Sequence, residues 1–81
     1  MLKIYGSMLC KDCVECREQL DAAGVEYIFC DFADELVHLK EFLVLREREL
    51  FRQVREEGRI GIPCIVTEND EAYLDWDLFL K

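Results

Sequence analysis

The chain has 81 residues, enough for one small domain over 1–81 whose core can enclose only about 60% of the unfolded surface. Hydrophobic residues make up 52% and charged ones 35%, which excludes a disordered chain. Acids outnumber bases 18 to 10 for a net charge of −8, which argues against nucleic acid and against an anionic membrane surface, since both require Lys and Arg.

The opening MLKIYGSMLC has no apolar run of signal-peptide length, and nothing further on approaches a transmembrane span. A cytoplasmic location is therefore expected, where thiols stay reduced. Five cysteines in such a short chain point to redox chemistry or metal before a disulfide framework.

In chain order, LKIY (2–5), bounded by Gly6, reads as a strand. A helix is predicted from Cys10 or Lys11 to Ala23, with Cys13, Cys16, Leu20 and Ala23 on one stripe and Gly24 as its stop. VEYIFCDF (25–32) is apolar on both alternating sets, as expected of a strand buried on both faces. The stretch 33–58 reads as helical, with stripes through Leu36, Leu39, Leu43, Leu50 and Val54 and with Gly58 closing. The charged REREL within it predicts two helices or one kinked helix. IPCIVT (62–67) is a β-branched strand, END a turn, and EAYL (71–74) its antiparallel partner. DWDLFL closes the chain as a short helix with Asp75 as N-cap, and Trp76 anchors it by covering the sheet. The order β-α-β-α-β-β-α makes an α/β domain with a four-stranded mixed sheet flanked by helices.

LCKDCVEC (9–16) holds three of the five cysteines at three-residue steps. Cys10–Cys13 can be a redox pair, Cys13–Cys16 can be the pair, or all three can be metal ligands. A Cys-x-x-Cys where a loop enters a helix has a clear mechanism. The helix N-terminus stabilises a thiolate at Cys10, and Cys13 one turn deeper can close a disulfide with it. A nucleophile at Cys13 would instead face the core, and Cys16 reads as a small hydrophobe. A metal-binding module, zinc or iron–sulfur, is the rival reading. It would need a fourth ligand from Cys64, Cys30 or His38, of which Cys30 reads as core and His38 as a surface or boundary residue.

IYGSMLCKDC, then Gly24 with VEYIFCDF, then GRIGIPCIV resemble the glutaredoxin family, including the small glutaredoxin-like electron donors of ribonucleotide reductase. The similarity extends to a small bacterial group described as glutaredoxin-related proteins, with a like GRIGIPC run, and covers nearly the whole chain. It implies the thioredoxin-like glutaredoxin fold and a small thiol–disulfide oxidoreductase. The positions of Tyr5, Cys10 and Gly24 fix the register, so Cys10 is implied as nucleophile and Cys13 as resolving thiol. Lys11, Asp12, Ile62 and Pro63 are implied as substrate-binding, with Cys16 and Cys64 as possible accessory thiols and no metal or cofactor. Ile62–Pro63 is then expected to be cis, leaving the Ile62 backbone to pair with an extended substrate. Implied partners are a disulfide-containing protein or small molecule and an external reductant, either a thioredoxin-reductase-like donor or glutathione.

Three positions depart from the family pattern. Lys11–Asp12 stand where Pro-Tyr is common, and the family's threonine-valine-proline appears here as Ile62 with Pro63, losing a hydroxyl. YLDWDLF occupies the place of the paired glycines that help hold glutathione. With the acidic surface, that last departure disfavours glutathione, itself an anion.

Overall fold

The structure, a computed structural model, describes residues 1–80. Strand β1 (Leu2–Gly6) leads into helix α1 (Lys11–Ala22), then β2 (Tyr27–Asp31) and α2 (Leu36–Leu45). A 3-10 turn (Glu49–Phe51) runs into the short α3 (Arg52–Glu56), followed by β3 (Cys64–Val66), β4 (Ala72–Tyr73) and a closing 3-10 turn (Trp76–Phe79). The sheet order is β2-β1-β3-β4, with β1 and β2 parallel and the other pairs antiparallel. The mixed four-stranded sheet is observed, and the elements follow the predicted order with two differences: a second short helix follows α2, and the closing helix is a 3-10 turn. No described helix is long and apolar enough to cross a membrane.

Alternation along the strands divides the core into two layers. On one face Ile4 and Ile65 pack with Cys16 and Leu20 of α1, with Trp76 and Phe79 against them. On the other, Tyr5, Cys30, Cys64 and Val66 pack with Phe42, Leu45, Phe51 and Val54 from α2 and the segment after it. Trp76 is tied to α1 as well, its indole N–H donating to Gln19 Oε1 at 2.7 Å. Asp75 caps the last turn by accepting from the Asp77 N–H at 2.9 Å.

Several expectations are corrected. β2 is an edge strand, so it is not buried on both faces, and Ile28 stays 49% exposed. Ala23 leaves the α1 stripe because the helix ends at Ala22, and Gly24 turns the chain with φ +73°. The 33–58 stretch is not helical throughout: residues 33–35 form the link to α2, and the REREL region breaks it into two helices. Of the predicted stripe only Val54 is fully buried, Leu39 is half-buried, and Leu36, Leu43 and Leu50 face outward. LVHLKEFLVL is apolar almost all round, so periodicity could not choose its inner face, and the bulky Phe42 and Leu45 took it.

The arginines of the broken stretch have a structural use. Arg55 Nη1 donates to the Arg46 and Arg48 carbonyls at 2.6 and 2.9 Å. Arg46 donates to the Arg59 and Ile60 carbonyls at 2.6 and 3.0 Å. Charged donors thus satisfy carbonyls of the turn and hold the approach to Pro63. The Ile62–Pro63 bond is cis, as expected, but β3 begins only at Cys64. Gly61, at φ +94°, brings the chain so close that an added Cβ would meet the Phe51 ring at 2.9 Å.

Candidate redox site

β1 ends at Gly6, and the loop Ser7–Leu9 delivers Cys10 to the amino end of α1. Cys10 is the N-cap residue, with extended backbone (φ −92°, ψ 121°). Its N–H donates to the Ser7 carbonyl at 3.0 Å, and its own carbonyl accepts from the Cys13 and Val14 amides at 3.1 and 3.2 Å. The Cys10 side chain therefore sits at the end of the helix where first-turn N–H groups lack intrahelical partners and the dipole is positive. It is half-buried, whereas the other four cysteines are buried, and all five are free thiols.

Cys13 lies one turn deeper and is fully buried. Its sulfur rests over Gly6, where an added Cβ would fall 2.6 Å from Sγ. Only a residue without a side chain fits beneath that sulfur, and this explains the glycine at the end of β1. Burial pushes the Cys13 thiol up to about 12, against the Ser7 backbone N–H, which lowers it; the adjoining Cys10 thiol adds to the rise by hydrogen bonding and charge. The Cys10 and Cys13 thiols are thus neighbours across the first turn of α1, the first on a half-buried residue and the second fully buried.

The remaining thiols are placed apart from this pair. Burial raises Cys16 to about 11 within the α1-side layer. Cys64 is raised to about 12, again by burial, but belongs to the layer on the opposite face, beside Tyr5. Cys30 is raised by burial on that same face. Cys16 and Cys64 are therefore separated by the sheet, and among the described residues no three His, Cys, Asp or Glu side chains gather as a metal site would require. His38 is half-buried, with Nδ1 3.8 Å from Glu41.

Of the residues expected around the pair, Lys11 and Asp12 are exposed on the first turn of α1. Pro63 is buried and Ile62 half-buried, packed against the α2-side layer. The antiparallel pairing of Tyr5 with Cys64 sets Pro63 at the same end of the sheet as Gly6 and the Cys10 loop.

Arg17 was missed by sequence reasoning. Its guanidinium carbon lies 4.5 Å from the Phe29 ring centroid, Nε donates to Tyr27 Oη at 3.2 Å, and Nη1 approaches Met8 Sδ at 3.2 Å. Tyr27 in turn donates to Asp21 at 2.7 Å. This residue ties α1 to β2 and to the loop that presents Cys10. The available signal was its position seven residues after Cys10, two turns along the same side of the helix.

A second concavity, of about 610 Å³, lies between α2 and the amino end of β1, lined by Lys3, Tyr5, Glu41 and Arg48 among others. Tyr5 donates there to Glu41 at 3.2 Å, and Arg48 pairs with Asp70 at 2.8 Å. It is at the opposite end of the sheet from Cys10.

The chain is similar to an uncharacterized protein of Haemophilus influenzae, with 31% identity over 73 residues, spanning 89% of this chain and 85% of that one. No protein-family profile and no solved structure matches it.

Proposed function

The chain belongs to the same family as that uncharacterized Haemophilus influenzae protein, and we propose that it is a small thiol–disulfide oxidoreductase with the thioredoxin-like glutaredoxin fold. One observation carries the reading: a solvent-reaching cysteine caps the amino end of α1 and adjoins a second, buried cysteine one turn in. The placement of Pro63 at the same end of the sheet as the Cys10 loop supports it.

In the reaction proposed, the Cys10 thiolate attacks one sulfur of a target disulfide. The target S–S bond breaks, one target sulfur leaves as thiolate, and the other becomes bonded to Cys10. Cys13 gives its proton to the target thiolate released in the first step and attacks Cys10 Sγ, which breaks the mixed disulfide and releases the second target thiolate. Two electrons pass from the protein dithiol to the target, leaving a Cys10–Cys13 disulfide. An external dithiol donor, thioredoxin-reductase-like, restores the reduced form; no other cofactor takes part. Lys11 and Asp12 border the incoming target, and Ile62 with Pro63 forms the opposite rim.

The environment of Cys13 suits the resolving role. In the reduced protein, burial and the Cys10 thiol keep it protonated. Once Cys10 is consumed in the mixed disulfide, its contribution is gone, while the Ser7 N–H still favours the thiolate. Burial, the larger cause of the rise at Cys13, remains, and only the Cys10 contribution to it is lifted. A reducing, cytoplasmic compartment would keep these thiols ready for the reaction.

The test is a trap. A Cys13→Ser form incubated in cell extract should accumulate mixed disulfides that dithiothreitol releases, with the targets named by mass spectrometry. A Cys10→Ser form should accumulate none, and equal capture by both forms would refute the assignment.

A further inference from the structure

The end of the sheet that carries Cys10 also carries exposed side chains that the fold does not use. β1 and β2 run parallel with Gly6 beside Asp31, and the Phe32 N–H donates to the Gly6 carbonyl at 3.0 Å. The loops 7–10 and 32–35 therefore leave the same edge side by side. Leu9, directly before Cys10, is 95% exposed and Met8 44%, and Leu36, directly after the second loop, is 70% exposed. Asp34 and Glu35, in that second loop, are exposed, and neither forms an ion pair among the described residues. A single exposed leucine is ordinary on a protein surface. Here two of them flank two unpaired acids, next to the one sulfur that reaches solvent.

Resting on the redox reading above, we infer that this face selects its target: a protein segment with an apolar side chain beside the reacting disulfide and Lys or Arg next to it. Leu9 and Leu36 supply apolar anchoring surface, and Asp34 and Glu35 supply charge that a basic segment would complement. The net charge of −8 steers such a segment inward from a distance. A second copy of this chain is the wrong occupant, because it would set acids against acids. A small anionic thiol compound is mismatched because the exposed Asp12, Asp34 and Glu35 outnumber Lys11 on the loop and helical turn beside Cys10, and it has no apolar side chain for the leucines.

The experiment compares three substrates reduced by the full chain with dithiothreitol as electron source. Two are cystine peptides with the same apolar residue beside the disulfide, one flanked by Lys and one by Glu. The third is the neutral 2-hydroxyethyl disulfide. The expected result is a kcat/KM at least ten-fold higher for the Lys peptide than for the Glu peptide at low salt, with the ratio shrinking as salt is added. D34K/E35K should bring that ratio to one or below, and Leu9→Ser should slow both peptides. Equal rates for the two peptides, or a ratio unchanged in D34K/E35K, would overturn the inference. Failure to reduce even 2-hydroxyethyl disulfide would overturn the redox reading instead. Docking would then be judged by binding of the two peptides to the Cys10→Ser form, where tighter binding of the Lys peptide upholds the inference and equal binding refutes it.

Discussion

The two faces of the sheet are closed by different means. Under α1 the fully buried contacts are small: Cys16 and Leu20 lie on Ile4 and Ile65, and Cys13 sits directly over Gly6, while the rings of Phe29, Tyr73, Trp76 and Phe79 stay only partly buried around them. Under α2 and α3 the space is filled by rings, with Phe42 5.2 Å from Phe32 and 5.8 Å from Phe51, the latter pair edge-on. Both faces contain buried cysteines, yet only the α1 face has a cysteine at its lip. Small side chains let a helix approach a strand end closely enough to seat the Cys13 sulfur against Gly6. Bulky rings give a face that holds the sheet together and leaves its two cysteines, Cys30 and Cys64, shut in. The cysteine's place on its element, and not the cysteine itself, separates chemistry from packing.

The sharpest way to break this comparison is to exchange the thiols one at a time. Cys10→Ser should abolish disulfide reduction outright, whereas Cys16→Ala and Cys64→Ala should keep the rate and lower stability, as read by urea denaturation. Loss of activity in Cys16→Ala alone would show that the pair is Cys13–Cys16 and that the faces have been assigned wrongly.

Next in size is the ring-filled face. Phe51 is fully buried, and Phe51→Ala should cost about 3–5 kcal/mol of unfolding free energy through lost burial and the cavity left behind. A much smaller cost would mean that the α2 side collapses readily and is not the stronger half of the core.

The close packing of the α1 face is probed by Gly6→Ala. Its methyl would stand 2.6 Å from Cys13 Sγ, so the sulfur or the strand must shift, at a cost of about 1–3 kcal/mol. Cys13→Ala should relieve most of that cost in a double-mutant cycle, since each change removes the reason for the other. Additive costs would place the strain elsewhere.

The effect that is smallest at neutral pH is a shared one. Burial raises Cys13 and Cys64 to about 12 and Cys16 to about 11, from an ordinary thiol value of 9.0. A thiol that holds its proton more tightly in the fold than in the unfolded chain stabilises the fold fully below pH 9. That stabilisation is lost as pH rises from 9 through 11 to 12, at up to about 1.4 kcal/mol per thiol per pH unit. The thermal midpoint should therefore be flat from pH 7 to 8.5 and fall above 9. In Cys64→Ala the fall should be shallower, and an unchanged slope would show that this thiol is less buried than the α2-side packing makes it.

The first half of the chain was readable in advance because its signals agree: a short apolar run, a glycine, a helical stripe of Cys13, Cys16 and Leu20, and a stop at Gly24. Cys10 was readable for the same reason, as the residue where a loop meets that helix. By contrast, the inner face of α2 had no sequence signature, because its apolar residues surround the helix, and Phe42 and Leu45 were selected only by the surface they meet. Edge or centre was equally hidden for β2, since the run 25–32 says how apolar a strand is and not which neighbours it acquires. Arg17 and Gly6 escaped for a related reason: one acts through partners on β2 and in the loop, the other through a sulfur seven residues ahead in the chain.

Local chain chemistry by itself determined the order of elements, the helix end that carries Cys10 and the turns that separate the strands, because propensity, periodicity and breakers act over a few residues. Only the tertiary structure decided that β2 lies at an edge, that Cys16 and Cys64 are walled off from each other, and that Gly6 lies directly beneath the Cys13 sulfur. Those outcomes depend on which surfaces meet across the sheet, and burial has no meaning until they do.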